Sequence, residues 1–246
     1  MGSTSAIRKQ KKMKLTLKFT FILLLFFACK GHEDKVGTTA HDAPVTAYPA
    51  QEIPVKQTGQ AHSEKSLPRD AYIQWIKDPD NGLSTHEQTG GLKFALFYKP
   101  LDYVVLQEMT SSAVGIDSFP ALRRDYEGMQ YFTLTISSAD DADILKHGIS
   151  NERSYYDRID YCSFRMQSDI QLVDGTDTLA CRIFHYERNF QVAPYTHFSL
   201  AFEDINKTGN VSDKTLVFHD QAFGKGIVKL KIKANDLKKI PNLSLN

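Results

Sequence analysis

CSFRMQSDIQLVDGTDTLACRI, residues 162–183, alternates apolar and polar side chains on either side of a turn signal. Cys162, Phe164, Met166, Ile170 and Leu172 share one parity. Asp174-Gly175-Thr176-Asp177 breaks the run, and Leu179, Cys181 and Ile183 resume the alternation. A period of two around an Asp-Gly break predicts a β-hairpin. A turn centred on Gly175 and Thr176 pairs residues whose numbers sum to 351. Cys181 then faces Ile170, and Cys162 faces Asn189. The two cysteines share a face but stand about eight residues out of register, beyond the roughly 7 Å Cα separation that a bridge tolerates. Cys162 and Cys181 are therefore expected to be buried free thiols, with no disulfide.

Working outward from this hairpin, further strands are expected at 196–202, 214–218 and 227–233. In the last, Val228, Leu230 and Ile232 face inward and Lys229, Lys231 and Lys233 face out. Such a lysine row can meet an acidic partner or lipid headgroups, but it is also a common guard against edge-to-edge pairing, the reading preferred here. Upstream, alternation predicts strands over 92–98 and 130–136. Helices are expected from Pro68 to before Pro79, over 101–109, and from Ser118 to Gly128. Shorter helices are expected over 140–147 and 151–158. Asp78-Pro79-Asp80-Asn81-Gly82 has its glycine one position too early for an EF-hand and reads as a turn. The predicted class is α+β: a mostly antiparallel sheet or sandwich with several short helices.

The chain has 246 residues, 41% hydrophobic and 24% charged, a globular balance. Its net charge of +1 conceals an asymmetry. Arg8, Lys9, Lys11, Lys12, Lys14 and Lys18 precede an apolar run, and no acid occurs before Glu33. From Cys29 onward, 24 basic residues meet 29 acidic ones. Such a body does not attract a polyanion, so a nucleic-acid partner is not expected.

Residues 19–28, FTFILLLFFA, form the apolar run, too short to span a bilayer, which takes about 20 residues. A basic segment, a short apolar core and a small residue before the break make a secretory signal. Translation from Met1 or from Met13 preserves it. Phe26-Phe27-Ala28-Cys29 resembles a bacterial lipobox, with Phe26 where leucine is usual and Ala28 as the expected small residue. The resemblance implies that residues 1–28 are a lipoprotein signal peptide and that Cys29 carries the lipid. Acyl chains then hold the protein to a membrane without a span, at about 0.8 kcal/mol per buried CH₂. Lys30 is not the aspartate of inner-membrane retention, and Lys30-Gly31-His32-Glu33-Asp34 resembles export tags of Bacteroidota surface lipoproteins. Together with GMQYF (128–132) and APYTHF (193–198), these features resemble uncharacterised cell-envelope lipoproteins of the Bacteroidota. That resemblance implies a lipid-anchored envelope protein, with the outer membrane as the expected site.

From Gly31 to Ser66 the chain is rich in Thr, Ala, Pro, Gln and His without an apolar period. It is expected to be a disordered tether, so that residues 29–66 join the anchor to a single β-rich body at 67–246. About 36 flexible residues hold the body on the order of 30–35 Å from the membrane.

His185, His197 and His219 lie on or beside strands near Glu187, Asp204 and Asp220. They are the candidates for a metal site or general base, although their spacing follows no motif. No GxSxG, HExxH, Walker A or GxGxxG run is present, and no cofactor is expected. Tyr155, Tyr156, Tyr161, Tyr186 and Tyr195 suggest either an aromatic binding patch or sandwich packing. The function expected is that of a non-enzymatic binding or accessory domain with an envelope protein or glycan partner. The alternative is an envelope or extracellular hydrolase or metal-dependent enzyme.

Overall fold

The computed structural model describes residues 65–139, 142–188, 193–205 and 210–245. The signal segment, Cys29 and nearly all of the expected tether lie outside the described residues. In chain order the elements begin with β1 (Ser66–Pro68), α1 (Arg69–Lys77), β2 (Ser84–Thr89), β3 (Leu92–Lys99), α2 (Leu101–Ser112), α3 (Phe119–Tyr126) and β4 (Met129–Ser138). They continue with α4 (Glu152–Asp160), β5 (Ile170–Asp174), β6 (Asp177–Ala180), β7 (Ile183–Glu187), β8 (Tyr195–Glu203), β9 (Lys214–Asp220), β10 (Gly226–Ile232), α5 (Ala234–Leu237) and β11 (Asn242–Ser244).

The strands form a five-stranded sheet, β2-β3-β4-β8-β7, and a four-stranded sheet, β10-β9-β5-β6. Every pairing in both is antiparallel. A short parallel pair joins β1 to β11. Alternation sets the inner faces: Phe94, Phe132, Leu134, Phe198 and Phe202 point from the larger sheet into the core. Leu172, Leu216, Phe218, Val228 and Leu230 do so from the smaller. The Phe94 and Phe218 rings meet between the sheets at 6.3 Å. The architecture is thus α+β, with antiparallel sheets and short helices, as the apolar period of two implies.

The hairpin of residues 170–180 has the expected register, with Leu172 opposite Leu179 and Asp174 opposite Asp177. Gly175 supplies the left-handed φ of 63° that the turn needs. The two flanks of the quoted stretch differ from expectation. Residues 162–169 are not a strand: α4 runs into a π-helical turn, Tyr161–Arg165, and a 3-10 turn, Met166–Asp169. Cys162 and Met166 are four apart and fully buried, whereas Phe164 between them is 80% exposed. A strand would place all three on one face; a helix turns Phe164 away. Cys162 is therefore not a strand position, and its expected partner Asn189 lies outside the described residues.

The second flank also differs, because 179–183 is not one strand. β6 ends at Ala180, and the chain crosses at Cys181 and Arg182 into the other sheet as β7. Cys181 marks this corner, its thiol donating to the Ile183 carbonyl at 3.1 Å. Both Cys162 and Cys181 are free and buried. Burial raises both thiols, to about 12 for Cys162 and about 11 for Cys181.

Two further differences have simple causes. β2 reads STHEQT, a polar strand with no apolar alternation to reveal it. It is fixed by pairing with β3 through Gly90 and Gly91, whose φ values of 55° and 79° close a two-residue turn. The helix expected over 140–147 is reduced to a 3-10 turn, Ile144–Lys146, with residues 140 and 141 outside the description. The Asp78–Gly82 run is a 3-10 turn in which Asp78 caps the Asp80 amide.

One end of the sandwich carries a buried ion pair. The Asp174 side chain is wholly inaccessible and accepts from Lys214 Nζ at 2.8 Å and from Gln130 Nε2 at 3.0 Å. Ser212 also donates to it. Burial pushes the Asp174 carboxyl up, but these hydrogen bonds outweigh it and hold the group below its ordinary value.

Candidate ligand-binding cleft

Helix α4 starts with Asn151 as its cap, Oδ1 accepting from the Ser154 amide at 2.8 Å. Its inward stripe runs through Tyr155, Ile159, Cys162 and Met166, all packed on or within the core. Arg158 falls on the same stripe and is only 8% exposed. Its Nη1 donates to the carbonyls of Ile144, Leu145 and His147 at 3.1, 3.2 and 2.7 Å. Its Nη2 donates to the Ala222 carbonyl at 2.9 Å, and the guanidinium lies over the Phe223 ring at 4.9 Å.

No described carboxylate touches this cation, and its Nε–H has no partner among the described residues. Burial lowers the Arg158 pKa, opposed by Cys162 and by the charges of Asp220 and Asp143. Asp220 is committed elsewhere: its two oxygens accept from the amides of Ala222, Phe223 and Lys225 at 2.7–2.8 Å. Removing an ion from water is costly unless it is paired, and here neutral carbonyl dipoles and the face of the Phe223 ring supply the described contacts.

Arg158 lines a cleft of about 320 Å³ between α4 with its π-helical extension and the loop at 221–222. Tyr161 lies beside it, and Ile149 and Ala222 give the cleft an apolar side. Ser154, Asp157, Arg165 and Gln221 add polar groups. Arg165 pairs with Asp160 at 3.0 Å, both side chains being more than half exposed, so the pair is weak; Arg165 also donates to the Asp157 carbonyl at 3.5 Å and lies over the Tyr161 ring at 5.8 Å. The Tyr161 hydroxyl is engaged with Asp169 at 2.7 Å, and its pKa is raised by burial and that bond.

The histidines singled out from the sequence do not converge. His185 and His197 stand on adjacent strands of the five-stranded sheet, opposite Ser199 and Glu187. His219 is on the other sheet, opposite Ile227. His197 Nδ1 shares a hydrogen bond of 2.8 Å with Thr135 Oγ1, and its ring lies 4.8 Å from that of Tyr195. Among the described residues no three His, Cys, Asp or Glu side chains gather to hold a metal ion. The tyrosines also divide: Tyr161 is buried, Tyr155 and Tyr186 pack against the core, and Tyr156 and Tyr195 are exposed. Lys229, Lys231 and Lys233 face solvent, the first two on β10, an edge strand of its sheet.

Arg158 went unnoticed in the sequence because an arginine in a polar helix is ordinary. The signal was its position: Tyr155, Ile159, Cys162 and Met166 define an apolar stripe that Arg158 interrupts.

No protein-family model matches the chain, and no curated protein is similar to it. A crystal structure of a protein of unknown function from Burkholderia pseudomallei K96243 is similar at 12% identity and a TM-score of 0.33. The match covers 69% of this chain and 91% of that one. A likeness that distant carries no argument about either fold or function. Among the described residues no helix is long and apolar enough to cross a membrane.

Proposed function

We propose that the protein is a cell-envelope lipoprotein, anchored in the outer membrane through Cys29, whose body is a non-enzymatic binding domain. The anchor is supported by the short apolar run and the small residue before Cys29. The observation that carries the binding role is Arg158: a buried guanidinium that touches no described carboxylate and opens into a cleft. A cation left in that state is poised to receive a negative group from outside the chain.

The anchor is tested by metabolic labelling with a palmitate analogue in wild type and Cys29→Ala. Label in the wild type alone is expected. Equal labelling of both chains would refute lipidation at Cys29.

A further inference from the structure

The geometry points to an α-amino-acid zwitterion as the ligand of the Arg158 cleft, its carboxylate on Arg158 and its ammonium on Asp157. This assignment rests on the binding role proposed above and specifies its chemistry. The charges lining the cleft are Arg158, Arg165 and Asp157. Arg165 is engaged by Asp160 and by the Asp157 carbonyl, which leaves the buried Arg158 and the exposed Asp157 carboxylate as the two poles.

Arg158 is the cationic pole. Four carbonyls fix its plane and occupy Nη1 and part of Nη2, while its Nε–H has no described partner. A carboxylate that binds the Nε side of a guanidinium makes a charge-assisted bond in a fixed orientation. Arg158 is only 8% exposed overall, so a contact to it is less screened than one on the open surface.

Asp157 is the anionic pole. It is next to Arg158 in α4 and lines the same cleft. A dianion such as phosphate would be repelled by it, whereas an ammonium would be held. The two poles therefore favour a ligand that carries both charges. Ile149 and Ala222 give a small apolar side against which a side chain can pack. At about 320 Å³ the cleft is at the small end of ligand sites and suits a single amino acid rather than a folded polymer segment.

The test is calorimetric titration of the full chain with each of the twenty common amino acids and with inorganic phosphate. The tightest amino acid is then compared with its amide, which lacks the carboxylate, and its N-acetyl form, which lacks the ammonium. Each blocked form is expected to bind at least about 10-fold more weakly, the loss of one charge-assisted contact. In Asp157→Asn the N-acetyl form should bind as in wild type, while the free amino acid loses its advantage. Asp157 is exposed, so this variant is expected to fold normally. Equal binding of the free and blocked forms, or no binding by any amino acid, would overturn the assignment. Phosphate binding in place of amino acids would overturn it too, yet leave the cleft a binding site.

Discussion

Lys214 and Arg158 are both buried cations, and the fold treats them in opposite ways. Lys214 is neutralised at 2.8 Å by Asp174, which is itself gripped by Gln130 and Ser212. Arg158 meets four carbonyl oxygens and no described carboxylate. The first arrangement is closed: strands from both sheets contribute to it, and both ion-pair side chains are almost wholly inaccessible. The second lies open to a cleft. A complete ion pair across β5 and β9 is closed off, and Gln130 ties it to the other sheet, whereas an incomplete one leaves charge available for a ligand.

Breaking the closed site should have the larger effect. Asp174→Ala leaves Lys214 buried without its counter-charge and should destabilise the body by about 3–5 kcal/mol in urea unfolding. A loss below about 1 kcal/mol would mean that the pair is not structural. The same site predicts a pH dependence. The Asp174 carboxyl is depressed in the folded protein, so its stabilisation is complete above the ordinary aspartate value of about 3.9. That stabilisation is lost as pH falls below this value toward the depressed folded one. Unfolding midpoints measured between neutrality and strongly acidic pH should fall mainly at the acid end, and less steeply in Asp174→Ala.

Arg158→Met should cost less, about 1–3 kcal/mol, because it strands four carbonyls but also removes a desolvated charge. If it matched Asp174→Ala in urea, Arg158 would be as much a keystone as the ion pair. The contrast between a closed and an open site would then fail.

The closed site was partly legible in the sequence. The Asp-Gly break at 174–175 and the alternation around it set the register of β5 and β6, and with it the place of Asp174. The flanks were not legible. Cys162 and Met166 are four residues apart, a spacing that suits one face of a helix and one face of a strand equally well. Only the exposure of Phe164 separates the two, and exposure is a tertiary fact. The crossing at Cys181 was hidden for a similar reason: Ile183 continues the apolar alternation of Leu179 and Cys181 in the sequence, yet it is exposed, and Phe184 and Tyr186 pack on the core instead. The cleft was hidden more deeply. Arg158 gains its meaning from backbone carbonyls without side-chain signature, at 144, 145 and 147, which lie 11–14 residues away, and at 222, which lies 64 away. The histidines were visible as chemistry, but the sheet order sends His219 to one sheet and His185 and His197 to the other.

The central claim, that Arg158 holds a charge open for a ligand, is tested most directly by following its side-chain Nε–H resonance by NMR. The resonance, assigned by its disappearance in Arg158→Met, should move and saturate as the tightest-binding amino acid is added. It should stay in place when the matching amide is added. A resonance that stays fixed while the amino acid binds, or that moves equally with the amide, would contradict the claim.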